Sequence, residues 1–304
     1  MSSHQIMQIV LAENFRAVFY APFYAAYARG EFKRRGVDIS FVESPSPGSA
    51  IAAMYDGRVD VVWGGPLRAI KLRDENAPEE KALLAFCEVV GKDPFFLISS
   101  NARRSEIPFD FRQLMQARVG VVSEVPTPWL CLQEDIRDAG LNPEEIDIVA
   151  DKSMAENLEG LDRGSIDVAQ FFEPYVSLAQ TQNIGQVIYA SASRGMTAYT
   201  TFLSTAPLIE KNREAFEAMA SAIENIRGWI NQAPPAEIAR QVEFFYPHVD
   251  FEILTMCMER YQKQGLWTCQ RTISEQGFNR LRQSMKNSGF ISSLPSYDRC
   301  VIKI

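Results

Sequence analysis

The segment VESPSPGSAIAAMYDGRVDVVWGG, residues 42–65, has the pattern of a strand, a turn, a short helix, a second turn and a second strand. The helix is predicted to begin at Pro47-Gly48-Ser49, because proline is favoured in the first turn of a helix. It is predicted to end at Gly57, since glycine adopts at little cost the positive φ that closes a helix. The run Val59-Asp60-Val61-Val62 is typical of a strand buried on both faces of a parallel sheet. The segment therefore predicts an α/β fold.

The same order of elements recurs from residue 119, in VGVVSE, PTPWLCLQEDIRDAG, IDIVADKS, SMAENLEGLDRG and IDVAQFFEP. Residues that end strands or bound helices recur with it, at offsets between 104 and 111 residues. The pairs are Glu13 and Glu124, Pro22 and Pro128, Gly36 and Gly140, Gly57 and Gly164, and Asp60 and Asp167. These nearly constant offsets predict two similar lobes. Two unrelated βαβ units with generic turn residues are the alternative. The aspartates are predicted to accept backbone hydrogen bonds, a structural role.

Two further segments and one tryptophan complete the prediction of local structure. MQIVLAE (7–13) predicts a buried strand, and YAPFYAAYARGEFKRRG (20–36) predicts one helix with Pro22 in its first turn. Trp267 is assigned to the helical segment near the C-terminus.

The segments that flank the second copy of this order of elements indicate that one lobe is inserted into the other. PFFLISS (94–100) is typical of a strand that leaves the first lobe, and MTAYTTFLST (196–205) of one that returns. We predict an α/β fold of two similar Rossmann-like lobes, joined by two hinge crossings, with a helical C-terminal segment. Lobe 1 is predicted to comprise residues 1–95 and 203–304, and lobe 2 residues 96–202.

The composition argues against several classes of partner and of metal site. A formal net charge of −7 argues against nucleic acid or an anionic membrane as the main partner. The five cysteines are odd in number and lack CxxC spacing, so neither a disulfide framework nor a zinc site is expected. The two histidines exclude a histidine-rich metal site. We expect no metal and no cofactor.

The distribution of apolar residues bears on location. No stretch approaches the ~20 apolar residues that span a bilayer, so no membrane insertion is expected. The start MSSHQIMQIVLAENF has neither a basic region nor an apolar run of signal-peptide length. As written, the chain is expected to be cytoplasmic; a periplasmic location is expected if a leader has been removed.

Four stretches carry a resemblance that covers nearly the whole chain. They are FYAPFYAAYARGEFKRRGVDISFVES, GSAIAAMYDGRVDVVWGG, LDRGSIDVAQFFEPYV, and GLWT followed by GFNRLRQSMKNSGFISSLPSYDRCV. In this order they resemble the NMT1/THI5-like group of solute-binding proteins for nitrate, sulfonates, taurine and thiamine precursors, which have the type II periplasmic-binding-protein fold. The resemblance implies a small-molecule ligand held between two closing lobes, contacted by loops after the first strands and by helix N-termini, and an ABC permease as a candidate partner.

Two turns that contain glycine are candidate ligand contacts. Gly48 permits close approach to the backbone, and Ser49 offers a hydroxyl and an N–H at a helix start, which suits an anion or a carbonyl. An ordinary N-cap is the alternative. Gly64 and Gly65 permit similar approach after a strand, and Trp63 is a candidate stacking wall. Packing of Trp63 in the core is the alternative.

Polar residues near strand and helix ends are the next candidates. Glu13, Asn14 and Glu124 end the paired first strands, where a glutamate can accept a hydrogen bond from a ligand amine or ring N–H. A solvated or salt-bridged carboxylate is the alternative. In the second lobe, Thr127 is a candidate donor and Trp129 a candidate stacking residue at the start of the first helix.

The remaining candidates lie after the last strand of lobe 2 and in the predicted cleft. The resemblance implies that Glu173, in Glu173-Pro174, helps to close the cleft. Tyr199 lies on the returning hinge strand. The aromatic residues of the predicted cleft are Phe19, Tyr20, Trp63, Phe95, Trp129, Phe172, Tyr175 and Tyr199. They favour a planar or ring-bearing ligand over bare nitrate.

An enzyme of the same fold is the alternative function. THI5-type pyrimidine synthases and sulfinate desulfinases resemble this chain in fold, but they use histidine and cysteine motifs. Here Cys131 stands alone, and no cysteine lies near residues 14–25 to work with Arg68. We therefore predict a solute-binding protein without catalytic residues. A cytoplasmic synthase, desulfinase or decarboxylase-type lyase that acts on a small aromatic or heterocyclic substrate is the alternative.

Overall fold

The computed structural model describes residues 6–13, 15–103 and 107–304. In these residues, eleven strands form a six-stranded and a five-stranded sheet. The strands are β1 (Met7–Glu13), β2 (Val37–Glu43), β3 (Val61–Gly64), β4 (Leu83–Val90), β5 (Phe96–Ser100), β6 (Arg118–Gly120), β7 (Asp147–Val149), β8 (Val168–Phe171), β9 (Gly185–Ala190), β10 (Thr200–Thr205) and β11 (Trp267–Gln270).

Twelve α-helices occur in the same described residues. They are α1 (Ala21–Ala28), α2 (Pro47–Tyr55), α3 (Leu67–Asp74), α4 (Thr127–Asp138), α5 (Met154–Asp162), α6 (Tyr175–Thr181), α7 (Ala206–Lys211), α8 (Arg213–Gln232), α9 (Pro235–Val242), α10 (Phe251–Gln264), α11 (Glu275–Asn287) and α12 (Tyr297–Cys300). Short 3-10 helices cover Val18–Tyr20, Lys33–Arg35, Asn101–Arg103, Phe111–Gln116, Pro143–Glu145, Ser191–Arg194 and Glu243–Phe245.

The two sheets share one topology over five strands, and β11 extends the first sheet at its edge. The first has the order β11-β4-β10-β3-β1-β2, and the second β7-β6-β8-β5-β9. In each, a central strand pairs in parallel with two neighbours, β1 with β2 and β3, and β6 with β7 and β8. The next strand is antiparallel and comes from a crossing: β10 returns to the first sheet, and β5 enters the second. The predicted fold class of two similar lobes with two crossings is confirmed, whereas the residue limits of the lobes stay a prediction.

The repeated turn residues have the same roles in both lobes. Asp60 accepts a hydrogen bond from the N–H of Val10 at 2.9 Å, and Asp167 accepts one from the N–H of Arg118 at 2.8 Å. Each aspartate therefore binds the backbone of the central strand of its sheet, as predicted. The paired glycines after helices all have positive φ, between 71° and 77°: Gly36, Gly57, Gly140 and Gly164.

Two predictions of local structure are wrong. The helix predicted over residues 20–36 ends at Ala28, because the chain turns at Gly30, which has a φ of +71°. Trp267 is not in a helix but in β11, which pairs with β4 at the edge of the first sheet. The preceding helix ends at Gly265 in the left-handed conformation, and this turn directs the following residues to the sheet.

Buried charges tie the two crossings together. Arg194 of the second crossing contacts Asp93 of the first crossing and Asp135 of α4. The side chains of Arg194 and Asp93 are only 6% and 0% exposed. The N–H of Phe95 also donates to Asp93, at 2.9 Å. This network fixes both crossings against a helix of the second lobe.

Packing between the lobes continues beyond this network. One hydrophobic cluster contains Phe23 and Phe86 from the first lobe together with Ile98 and Phe171 from the second. No helix of the described residues is long and apolar enough to cross a membrane.

Candidate functional site

A cavity of about 220 Å³ lies where the two lobes and the second crossing meet. We call it the interlobe cavity. The first lobe contributes Phe15, Phe19, Tyr20, Pro47, Gly65, Leu67 and Arg68. The second lobe contributes Glu124, Val125, Pro126 and Thr127, and the crossing contributes Tyr199 and Thr200. A molecule in this cavity would therefore touch all three parts of the protein.

The lobe 1 wall is aromatic because Phe19 and Tyr20 lie in the short helical turn that precedes α1. The Phe19 ring lies edge-on to both Tyr20 and Tyr199, with centroids 4.5 and 5.9 Å apart. Phe15 and Phe19 also contact Phe172 of the second lobe, with centroids 6.4 and 5.3 Å apart. These contacts close one side of the cavity across the lobe boundary.

Arg68 provides the positive charge of the cavity. It lies in the first turn of α3, just after the glycines that end β3. Its guanidinium passes over Gly64, where an added Cβ would lie 3.1 Å from Nη1. Burial lowers the pKa of Arg68, but an arginine stays cationic at neutral pH. Burial also raises the pKa of the neighbouring Tyr20 to about 12, against the opposing charge of Arg68.

The lobe 2 wall is built around two helix starts. Thr127 and the preceding Pro126 open α4. Glu124 accepts a hydrogen bond from the N–H of Met154, the first residue of α5, at 2.9 Å. The Glu124 carboxylate therefore accepts a hydrogen bond from a backbone N–H at the start of α5 that has no partner within the helix. The Glu124 side chain is exposed at the cavity.

Tyr199 provides a hydrogen-bonding group without a protein partner. The residue is 7% exposed, and its buried hydroxyl has no hydrogen-bond partner in the part of the chain that the structure describes. Burial raises the pKa of Tyr199 well above its ordinary value, so the hydroxyl keeps its proton. A buried hydroxyl without a hydrogen-bond partner is destabilising.

The structure brings together five of the predicted site residues: Tyr20, Gly65, Glu124, Thr127 and Tyr199. Gly64 lies beneath Arg68, as described above. Gly48 and Ser49 are exposed near the rim, where Pro47 reaches the cavity. The N–H of Ser49 donates to Oγ of Ser46 at 3.1 Å, which is the N-cap arrangement. Asn14 lies outside the described residues.

The two predicted tryptophans are not in the cavity lining. Trp63 packs in the core of lobe 1, with its ring 4.3 Å from that of Phe23 and 5.2 Å from that of Tyr24. Trp129 packs against a hydrophobic cluster of the second lobe that includes Leu97 and Leu132.

Glu173 is a fully buried link between lobe 2 and the C-terminal helices. Its carboxylate accepts hydrogen bonds from the N–H and the hydroxyl of Ser177, both at 2.8 Å, and forms an ion pair with Arg260 of α10. Its own N–H donates to the hydroxyl of Tyr261 at 2.9 Å. The contacts of Glu173 are thus with the protein itself.

A larger cavity of about 650 Å³ adjoins the first and shares Phe15 with it. We call it the strand-end cavity, because Glu13 and Glu43, the last residues of β1 and β2, line it. Arg16 and His248 contribute to the same lining. The Glu13 carboxylate accepts hydrogen bonds from the Tyr24 hydroxyl at 2.5 Å and from Nη2 of Arg16 at 3.0 Å.

Two residues of the cavity lining are absent from the ligand contacts predicted from the sequence. Arg68 is predicted only as a partner for a cysteine, although it follows a double glycine at a strand end, where helix starts meet ligands. Phe15 is not predicted, since one aromatic residue in a loop carries no signal of its own. Among the described residues, no group of three or more His, Cys, Asp or Glu side chains is arranged to hold a metal ion.

Comparison with known proteins shows the family of the chain. The model of the NMT1-like family matches residues 15–243. The "Putative binding protein YtlA" of Bacillus subtilis (strain 168) is 22% identical over 300 residues, which cover 98% of this chain and 88% of YtlA.

Solved structures share the fold. The alkanesulfonate-binding protein SsuA from Xanthomonas axonopodis pv. citri, bound to MOPS, matches with a TM-score of 0.69 at 13% identity, over 99% of this chain and 100% of SsuA. The periplasmic nitrate-binding protein NrtA from Synechocystis PCC 6803 matches with a TM-score of 0.66 at 14% identity, over 97% of this chain and 84% of NrtA. The fold is that of the type II periplasmic binding proteins, and the chain belongs to the NMT1-like family.

Proposed function

We propose that this protein is a solute-binding protein that holds a small organic anion with a planar or ring-shaped part in the interlobe cavity. The observation that carries the proposal is the position of Arg68 in an aromatic cavity whose walls come from both lobes. An ABC permease is the proposed partner, by analogy with the ligand-binding component of an ABC-type import system from Staphylococcus aureus, whose structure shares the fold.

Arg68 supplies the anion-binding group. A guanidinium presents several N–H donors in a fixed plane, which match the oxygens of a sulfonate or a carboxylate. The surrounding aromatic rings lower the local dielectric constant and strengthen this interaction. The hydroxyl of Thr127, from lobe 2, is the proposed neutral partner.

The aromatic wall supports a ring-bearing ligand. Phe15, Phe19 and Tyr20 surround the cavity, and its volume of about 220 Å³ exceeds what a four-atom nitrate ion fills. An apolar or planar group in the ligand would bury its surface against these rings, which contributes about 25 cal/mol per Å² of apolar surface.

A thiolate enzyme is poorly supported. All five cysteines are buried. Burial raises the pKa of Cys131 to about 12, so this thiol stays protonated at neutral pH. A reactive cysteine needs an exposed environment that lowers its pKa.

The proposal is tested by identifying and then titrating the ligand. Mass spectrometry of the small molecule released from the purified protein should find an organic anion. Isothermal titration with a panel of alkyl- and arylsulfonates and the matching carboxylates should then find binding. Arg68→Met should weaken that binding by about tenfold or more, the effect of one charge-assisted hydrogen bond.

Arg213→Met is the matched control, because Arg213 is an exposed arginine of lobe 1 that lines neither cavity. It should bind like the wild-type protein. A panel without any binder, or an Arg68→Met variant with wild-type affinity, would overturn the proposal.

A further inference from the structure

The strand β11 extends the first sheet beyond the five strands that the two sheets share, and it joins α10 to α11 in the chain. Its neighbour in the sheet is β4. The Glu88 carboxylate of β4 accepts hydrogen bonds from the Thr268 hydroxyl and the Gln270 amide of β11, at 3.0 and 2.9 Å. It also accepts one from the N–H of Ser274, the N-cap residue of α11, at 3.1 Å. Both helices are therefore held at the first sheet.

The helix α11 packs against α4, the first helix of lobe 2. Leu130 and Cys131 of α4 are buried in one hydrophobic cluster with Leu281 of α11. At the end of α11, the Asn287 amide donates a hydrogen bond to Oε1 of Glu134 at 2.6 Å. Lobe 2 thus buries apolar surface against a helix that the first sheet holds.

The helix α10 contacts α6 of lobe 2. Arg260 of α10 forms the ion pair with Glu173, and the Tyr261 hydroxyl accepts a hydrogen bond from the N–H of Glu173. The Cys257 thiol lies 3.9 Å from the Ser177 hydroxyl. Except for Arg260, these side chains are fully buried. Movement of lobe 2 away from α10 would leave the Glu173 carboxylate without its arginine, which is unfavourable.

The helices α4 and α6 lie on opposite faces of the second sheet. Successive residues of a strand point to opposite faces. Leu97 of β5 belongs to the cluster that contains Leu132 of α4, whereas the next residue, Ile98, belongs to the cluster that contains Val176 of α6. The segment α10-β11-α11, which we call the C-terminal clamp, therefore contacts lobe 2 on both faces of its sheet, while its strand belongs to the first sheet.

We propose that the C-terminal clamp keeps the two lobes together whether or not a ligand is bound. Separation of the lobes would expose the buried carboxylate of Glu173 and the apolar surface between α4 and α11. The ion pairs of Arg194 with Asp93 and Asp135 hold the crossings in the same arrangement. The inference differs from the closing motion that the sequence resemblance implies. It goes beyond the proposed function and does not depend on the class of the ligand.

A distance between two spin labels tests the clamp in the ligand-free protein. Ala52→Cys in α2 and Ala155→Cys in α5 provide exposed label sites on helices of different lobes, whereas the five native cysteines are buried. After dialysis, mass spectrometry should confirm that no small molecule remains bound. Double electron–electron resonance should then find a single distance, the one that this structure gives for the two sites.

A double variant tests whether the clamp is the cause. Arg260→Gln removes the ion pair with Glu173, and Asn287→Glu places a second carboxylate against Glu134. Both contacts of the clamp with lobe 2 are then weakened. We expect part of the ligand-free population to shift to a longer distance between the labels.

Lys263→Gln is the matched control, because Lys263 of α10 pairs with Glu259 of the same helix at the exposed surface. It should keep the single distance. A second, longer distance in the ligand-free wild-type protein would overturn the inference, and so would an unchanged distance in the double variant. If the double variant does not fold, the two single variants are compared in the same way. These results leave the proposed function untouched, since that function is tested by ligand affinity.

Discussion

The turns after β3 and after β8 occupy equivalent places in the two lobes but are built for different tasks. In lobe 1 the turn is Gly64-Gly65-Pro66, which leaves space that the Arg68 side chain and the interlobe cavity occupy. In lobe 2 the turn is Phe172-Glu173-Pro174. Phe172 fills the space by packing against Phe15, Phe19 and Phe95, and Glu173 forms buried bonds with the protein.

The two turns therefore differ in the role that we assign to them, ligand contact in lobe 1 and structural support in lobe 2. Where the turn begins with two glycines, a charged residue of the next helix can face a ligand. Where the turn carries a phenylalanine and a glutamate, the same position becomes a fixed support for the lobe boundary. The comparison predicts that changes at the first turn alter ligand affinity, whereas changes at the second alter stability.

The largest effect is expected for Glu173→Ala. This change leaves Arg260 and the backbone N–H of Ser177 without their carboxylate partner in a buried place. Removal of one member of a buried ion pair costs about 3–5 kcal/mol of unfolding free energy. Urea denaturation of the wild-type protein and the variant measures this loss.

Arg68→Met is the counterpart of that variant in lobe 1. It should lower the unfolding free energy less than Glu173→Ala does, since it keeps an apolar side chain at a position that is only partly buried. The comparison between the two turns fails if Glu173→Ala unfolds like the wild-type protein, or if its main effect is on affinity.

A second contrast concerns two buried carboxylates. Glu173 has an arginine partner, but among the described residues Glu88 on β4 accepts hydrogen bonds from neutral groups alone: the Thr268 hydroxyl, the Gln270 amide and the N–H of Ser274. Burial raises the pKa of Glu88 from its ordinary 4.5 to about 7, against the opposing effect of these bonds.

The pH dependence of stability should therefore carry a contribution from Glu88. Because its pKa is raised in the folded state, this residue favours folding most below pH 4.5, and its contribution is lost as the pH rises through about 7. The full change is about 3 kcal/mol. Denaturation of the wild-type protein and of Glu88→Gln at pH 5 and pH 8 should show a smaller decrease in the variant. Equal decreases in both proteins would contradict the assignment.

The repeat could be predicted from the sequence because its turns need particular residue types. Gly57 and Gly164 adopt positive φ, which other residues adopt at a cost. Asp60 and Asp167 bind the N–H of the central strands. These requirements are local, so a single sequence displays them.

The residues of the site were harder to predict, for two physical reasons. An aromatic residue is equally suited to a core and to a cavity wall, and Trp63 and Trp129 both pack against their own lobes. A hydrogen-bond donor at a helix start can be satisfied from within, and Ser46 caps the N–H of Ser49. Which residues line a cavity depends on packing between distant segments, as it does for Tyr199.

The smallest expected effect belongs to Gly64→Ala. The backbone of Gly64 does not have a positive φ, so alanine fits its conformation. Its Cβ would lie 3.1 Å from Nη1 of Arg68, which is tight, and the guanidinium must shift by a few tenths of an ångström. We expect the affinity for the organic anion to fall by about two- to fivefold, the loss of part of one hydrogen bond, at unchanged stability. Isothermal titration checks the affinity, and urea denaturation checks the stability. Unchanged affinity would mean that the open turn after β3 does not position Arg68 for the ligand, and the contrast between the two turns would then rest on Glu173 alone.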